Sequence, residues 1–163
     1  MHRAVEELVA EGPAENLTMP LIAARAGVHP TTVYRRWASL ADLLGEVATS
    51  RFSGDIVVPD TGTLRGDLER WVTGVATDFG DPDVLALMRA TVGTNPAGGC
   101  VCTADRHAQL DAILQRERSR GGNPPDLDRA VNSLLAPMYY RVMFTADPTE
   151  PAWALRLVDD LLR

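Results

Sequence analysis

Apolar residues recur at helical spacing along almost the whole of this 163-residue chain, and Gly or Pro separates the segments. The first segment, residues 2–11, carries apolar side chains along one face: Ala4, Val5, Leu8 and Val9. Gly12-Pro13 ends that segment. A strand-like run occurs at 55–59, but it is short and ends in Pro. The sequence therefore predicts an all-α fold of about nine helices.

The predicted helices fall into two regions. We expect an N-terminal domain at residues 1–47 and a helical C-terminal domain at 48–163. A turn-rich stretch, residues 53–62 (SGDIVVPDTG), lies near the boundary, and 93–99 is predicted to be a loop. The helices are expected at 2–11, 19–26, 30–37, 40–52, 64–79, 83–92, 104–120, 127–144 and 151–163.

One segment, residues 17–41, contains no acidic residue in an otherwise acidic chain. It holds Arg25, Arg35 and Arg36, which leaves 13 arginines against 22 acidic residues in the rest of the protein. The net charge of −6 argues against general coating of nucleic acid. The net charge is compatible with a small DNA-binding surface. Salt screens charges over about 8–10 Å, so the charges close to that surface matter more than the total. The segment is therefore predicted to meet phosphate.

The same segment has the layout of a helix-turn-helix, with a helix from Thr18, a tight turn at Gly27 and a second short helix. Small residues at 23 and 26 allow close helix approach, and Val28 and Val33 are expected to pack on Ile22. The second helix would then point six side chains outward: His29, Pro30, Thr31, Thr32, Arg35 and Arg36. Short residues at the tip and long cations behind suit entry into the DNA major groove.

The stretch IAARAGVHPTTVYRRW, followed after two residues by LADLL, resembles the DNA-binding signature of the TetR family of bacterial regulators. The resemblance covers residues 4–47 well. The rest matches in layout, although LLAPMYYRVMF followed by DP resembles the penultimate helix of some members. It implies a transcriptional regulator, most often a repressor, that binds a pseudo-palindromic operator as a homodimer. It also implies a C-terminal pocket whose small-molecule ligand releases the DNA.

The resemblance also implies roles for single residues. Pro30 and Thr31 would sit against bases, and Arg35 would reach a base edge or a nearby phosphate. The remaining contacts would be to the backbone, from Thr18, Thr32, Tyr34 and Arg36. His29 is a further candidate for base contact. Two departures, Leu40 in place of a usual Lys and a first helix that looks truncated, predict weaker DNA binding than usual if the sequence is complete.

The last two predicted helices, from Leu127 to Phe144 and from Pro151 to Arg163, are apolar on more than one side. Such helices need a partner on each face, which predicts a homodimer built through this pair. Pro137 is expected to kink the first of the two. If the C-terminal domain holds an effector cavity, our candidates for its lining are Trp71, Met88, Met138 and Arg141.

Two other functions remain open from the residues. An enzyme would need a catalytic pattern, but the chain has no GxSxG, HExxH or phosphate loop. A helical dimeric interaction module that has lost DNA binding is the other alternative. Cys100 and Cys102 could be plain apolar residues or a redox pair, and they make only half a zinc site, so no metal or cofactor is expected. The absence of a signal segment or long apolar run predicts a cytoplasmic protein.

Overall fold

A computed structural model describes residues 1–12, 16–52, 58–94, 101–145 and 147–163. Over these residues the fold is all-α, with nine helices and no strand. Seven of them are α1 (His2–Glu11), α2 (Met19–Arg25), α3 (Pro30–Arg36), α4 (Leu40–Phe52), α5 (Leu64–Phe79), α6 (Pro82–Thr94) and α7 (Val101–Ser119). The last two are α8 (127–144) and α9 (Pro151–Leu161). None of the helices described is both long and apolar enough to cross a bilayer.

The chain forms two compact units, Met1–Gly54 with Pro82–Thr103, and Asp55–Asp81 with Ala104–Arg163. In the first unit α1 packs against α2, α4 and α6, and α4 packs against α6. Its core includes the predicted face of α1 and the buried side of α4, formed by Leu43, Leu44, Val47 and Ala48. Helix α1 of this core packs against α2, and α2 packs against α3. The outer side of α3 stays in solvent.

In the second unit α5 packs along α9, which also contacts α8. The buried stripe of α5 includes Leu68, Trp71, Val72 and Val75. Polar groups are buried beside it, among them Arg106 and the Trp71 indole. Arg106 is 1% exposed and bonds to Asp78 and Gln109, and the Trp71 indole donates to Gln109 across 2.9 Å. Arg106 and the Trp71 indole therefore both have partners, as the cost of leaving a buried polar group unpaired demands.

Helix α8 consists of three consecutive segments: α-helical Leu127–Ala130, π-helical Val131–Leu135 and α-helical Ala136–Phe144. The amide of Ala136 donates to the carbonyl of Val131, the longer spacing of a π-turn. Pro137 lacks an amide proton, and its ring would clash with the carbonyl four residues earlier in a regular α-helix. A wider turn before the proline gives its ring more room, and the structure places a π-turn next to the residue at which the sequence predicts a kink.

Several predicted boundaries needed correction. Helix α6 runs through Gly93 and Thr94, which were predicted to be loop, and α7 begins at Val101 rather than at 104. Helix α9 ends at Leu161. Residues 53–57 and 95–100 lie outside the described part of the chain, so the structure does not describe Cys100, half of the predicted linker or most of the predicted loop. Cys102 lies in α7, but its side chain is also outside the description.

Candidate nucleic-acid interface

Helix α2 begins at a threonine cap. Thr18 has an extended backbone, and its hydroxyl accepts a hydrogen bond from the amide of Leu21 across 3.3 Å. Pro20 follows inside the first turn, where its missing amide proton costs nothing. Thr18 itself is exposed, so its hydroxyl stands at the surface beside the start of α2.

The turn between α2 and α3 is fixed by Gly27, whose φ is +68°. Its amide donates to the carbonyl of Ala24, and the amide of Val28 donates to the carbonyl of Ala23. This pair of bonds is the Schellman arrangement, which needs a left-handed residue after the helix. A side chain in that conformation costs roughly 1–2 kcal/mol, so glycine is the fitting residue here.

His29 directly precedes helix α3, and its side chain serves as the N-cap. Its Nδ1 accepts from the amide of Thr31 at 3.4 Å and lies 2.8 Å from the Thr31 hydroxyl. Pro30 occupies the first helical position and is half-buried. The bonds to Thr31 fix the imidazole against the first turn of α3 while leaving it exposed.

The outer face of α3 is open to solvent, as the sequence predicts. The exposed residues on it are Thr31, Thr32, Tyr34, Arg35 and Arg36. The inner side is Val33, which is fully buried, as are Ile22 and Ala23 on α2. Val28 was predicted to join this core, but it is 37% exposed. It follows the left-handed Gly27, and the reversal of the chain there turns it toward solvent.

The three arginines of the acid-free segment differ in their partners. Arg25 forms a two-pronged pair with Glu11 and also lies 3.7 Å from Glu7. Its hydrogen bond lowers the pKa of Glu11. Arg36 donates to Glu46. Among the residues that the structure describes, no acidic group pairs with Arg35, which is the exposed cation left for an external anion.

Glu46 is the residue that sequence reasoning missed. Its carboxylate accepts hydrogen bonds from His2, from the indole of Trp37 at 2.9 Å and from Arg36. The bonds from His2 and Trp37 lower the pKa of Glu46, so it stays ionised beside the candidate interface. It lies outside the 17–41 segment on the next helix, α4, and no local pattern in the sequence pairs it with Trp37.

Three of the four candidate effector contacts are buried, and the fourth lines a groove. Trp71 and Met138 are buried in the second unit, and Met88 is buried in the first. Arg141 lines an open groove of about 490 Å³ in the second unit, and the other three do not. Within the described residues no cluster of His, Cys, Asp or Glu could hold a metal ion.

The second unit exposes aromatic side chains on α8. Tyr140 is 63% exposed and Phe144 is 74% exposed, with their ring centroids 5.7 Å apart. Leu155 on α9 is also an exposed large apolar residue. These side chains lie on the two helices that the sequence predicts to form a subunit interface.

Two family profiles of known proteins match this chain. Residues 3–47 match the family profile of the bacterial regulatory proteins of the tetR family. Residues 58–161 match the profile of the tetracyclin repressor-like C-terminal domain. The chain belongs to the TetR family. It is a DNA-binding transcriptional regulator, and members of this family typically act as dimers.

Individual relatives agree with the assignment. The HTH-type transcriptional regulator AqdR of Rhodococcus erythropolis is 32% identical over 129 residues, which cover 78% of this chain and 62% of that protein. The DNA-binding transcriptional repressor TetR of Mycobacteroides abscessus is 27% identical over 170 residues, covering 98% and 87% of the two chains. The crystal structure of the TetR family transcription regulator SCO0332 superimposes with a TM-score of 0.73 at 25% identity, covering 99% of this chain and 93% of that one.

Proposed function

We propose that this TetR-family regulator is a repressor that binds a pseudo-palindromic operator as a homodimer and leaves it when a small molecule binds the C-terminal domain, residues 48–163. Residues 1–47 are the DNA-reading domain in this proposal, and α3 enters the major groove. The observation that carries the proposal is Arg35. It is an exposed cation on the outer face of α3 without an acidic partner in the described part of the chain.

The exposed residues of α2 and α3 divide into two proposed roles. Pro30 and Thr31 lie against bases, together with His29, and Arg35 reaches a base edge or a phosphate. The backbone contacts come from Thr18, Thr32, Tyr34 and Arg36. The support is that all of these side chains are exposed except Pro30, which is half-buried.

The proposed dimer interface is formed by the last two helices, residues 127–144 and 151–163. Two copies of α3 are needed to read two half-sites, which ties operator symmetry to protein symmetry. The exposed rings of Tyr140 and Phe144 support this interface, because a patch of apolar side chains in solvent marks a contact surface.

The effector site is proposed from the family alone. Trp71, Met88, Met138 and Arg141 stay its predicted contacts, although Met88 belongs to a different compact unit from the other three. An apolar lining with few polar groups would take a mainly apolar small molecule.

A gel-shift experiment on DNA from upstream of the protein's own gene tests the proposal. We expect the wild type to shift this DNA and the Arg35→Ala/Arg36→Ala variant to lose the shift. A matched control, Arg70→Ala/Arg118→Ala, also removes two exposed arginines and should bind as the wild type does. The wild-type affinity should fall with salt on a log–log slope of magnitude about 4–6.

Two results would contradict the proposal. A double variant that binds as tightly as the wild type would remove α3 from the interface. A wild type that binds neither this DNA nor any member of a random DNA pool would favour the interaction module without DNA binding.

A further inference from the structure

Four residues form one exposed ridge on α8: Asn132, Ala136, Tyr140 and Phe144. The last three lie within the α-helical segment Ala136–Phe144 at intervals of four, so they stand one above another on the same side. The ridge carries no charge. It ends in a large side chain, Phe144, and has a methyl group at Ala136.

The open groove of about 490 Å³ lies beside the middle of this ridge. Ala136, Pro137 and Tyr140 line it from α8, and Trp153 lines it from the start of α9. The Arg141 guanidinium lies over the Trp153 ring at 4.5 Å and donates to the carbonyl of Pro148 at 2.9 Å. These contacts hold Arg141 within its own chain, so it forms a wall of the groove.

The protruding Phe144 ring and the groove at Ala136 can complement each other in a twofold dimer. In an isologous interface the same surface of both copies is in contact. A residue on the C-terminal side of the twofold axis therefore faces the residue equally far on the N-terminal side in the other copy. With the axis at Tyr140 and two α8 helices antiparallel, Phe144 of one copy faces Ala136 of the other. The most exposed aromatic side chain of the ridge then meets the smallest side chain of the ridge.

We propose that two copies associate through this register, with Tyr140 beside Tyr140 at the twofold axis and each Phe144 ring seated in the Ala136–Pro137 groove of the other copy. The inference rests on the proposed dimer and specifies how it is formed. The uncharged ridge brings no like charges together, and Arg141 is already held by its own chain. Arg141 then lines the part of the dimer interface that receives Phe144.

The second copy explains the surface better than a small ligand does. A small molecule in the groove would leave Phe144, which does not line it, 74% exposed. Mutual insertion covers the rings of Tyr140 and Phe144 and places one Phe144 ring in each of the two grooves of the dimer. Apolar side chains buried in this way drive stable association.

Single-cysteine cross-linking of the full chain tests the register. Cys100 and Cys102 are first replaced by Ser, and a single Cys is then introduced by Ala136→Cys, Tyr140→Cys or Phe144→Cys. Facing Cα atoms of helices packed about 8–10 Å apart lie roughly 3.5–5.5 Å from each other, which overlaps the range for a disulfide. Residues displaced by two helical turns are about 12 Å apart along the axis and are out of range.

Mild oxidation should therefore give a specific pattern. Tyr140→Cys should form a disulfide dimer by itself, whereas Ala136→Cys and Phe144→Cys should do so only when the two variants are mixed. Ala112→Cys, at an exposed site on α7, is the matched control and should stay uncrosslinked. Efficient self-linking of Ala136→Cys or Phe144→Cys, or no linking of the mixture, would overturn the register.

A second measurement separates the register from the dimer itself. By sedimentation, Phe144→Ala should raise the dimer dissociation constant at least about tenfold, because it empties the groove of the other copy. Leu21→Ala removes another exposed apolar side chain and should change nothing. If the protein is dimeric and Phe144→Ala leaves the dimer dissociation constant unchanged, the register is wrong but the proposed dimer stands. A wild type that is monomeric at every concentration overturns the proposed dimer as well.

Discussion

Arg36 donates a hydrogen bond to Glu46, with 2.9 Å between Nη2 and Oε1. The guanidinium also lies 4.6 Å from the centre of the Trp37 ring. Arg25 is paired in the same way with Glu11. The charge of the acid-free segment, counted from sequence, therefore overstates what DNA would meet, because acids from α1 and α4 neutralise two of its three arginines.

The first prediction compares these arginines. Arg35→Ala should weaken DNA binding by about 10–100-fold, since one well-placed arginine contact contributes about 1–3 kcal/mol. Arg25→Ala removes the same charge from the same segment but should change affinity little, because Arg25 is committed to Glu11. Fluorescence anisotropy with labelled operator DNA measures both. Equal losses would mean that total charge, and not the position of Arg35, governs binding.

The second prediction concerns Glu46→Gln. An ionised carboxylate beside the interface repels phosphate and holds Arg36, so its removal should tighten DNA binding by roughly 3–10-fold at low salt. The gain should shrink as salt rises. Asp42→Asn, on the same helix, removes an acid that bonds to Ser39 and is the control. Weaker binding by Glu46→Gln would show that the carboxylate serves mainly to position Trp37 and Arg36.

The third prediction concerns the turn. Gly27→Ala should lower the free energy of unfolding by about 1–2 kcal/mol, because φ there is +68°. Gly74→Ala is the matched control. Gly74 lies inside α5 with nothing within 4 Å of an added methyl group, so alanine should stabilise the protein by about 0.5–1 kcal/mol. Urea unfolding measures both, and a Gly27→Ala variant as stable as the wild type would refute the strained turn.

The fourth prediction concerns Asp67, which is fully buried. It accepts hydrogen bonds from the amide and hydroxyl of Thr61 and from Arg120, which fasten the segment before α5 to the end of α7. Asp67→Asn should cost about 2–4 kcal/mol of stability at neutral pH. Asp60→Asn also removes a partner of Arg120, but Asp60 is exposed, so its loss should cost much less.

Asp67 also predicts a pH dependence. Burial raises its pKa, but the hydrogen bonds from Thr61 and Arg120 outweigh this and leave the pKa below that of an ordinary Asp. A group with a lowered folded-state pKa stabilises the protein above its unfolded pKa of about 3.9. That contribution is lost as pH falls through the folded value. The stability difference between wild type and Asp67→Asn should therefore shrink below about pH 4, and a constant difference would contradict the assignment.

Local signals made most of the helices predictable from sequence. Thr18 and Thr63 cap α2 and α5 through side-chain bonds to amides three residues on, and Gly27 ends α2 as expected. The outward face of α3 follows from the same local periodicity. What the sequence could not supply was pairing between distant residues. Glu46 meets His2 across 44 positions, and Asp67 meets Arg120 across 53.

The error at Val28 has a similar origin. Its apolar character predicts a buried position, but the left-handed turn at Gly27 decides where the side chain points, and Val28 is exposed. The π-turn before Pro137 was also beyond prediction, because a proline inside a helix can be relieved by a kink or by a wider turn.

The central claim is that two copies of α3 read DNA through Arg35 and its exposed neighbours. Selection of binding sites from a random duplex DNA pool, carried out in parallel with wild type and Arg35→Ala, tests it most directly. We expect the wild type to enrich a pseudo-palindrome and Arg35→Ala to bind that sequence at least about tenfold more weakly. No enriched sequence with the wild type, or equal binding of the selected site by both proteins, would contradict the account.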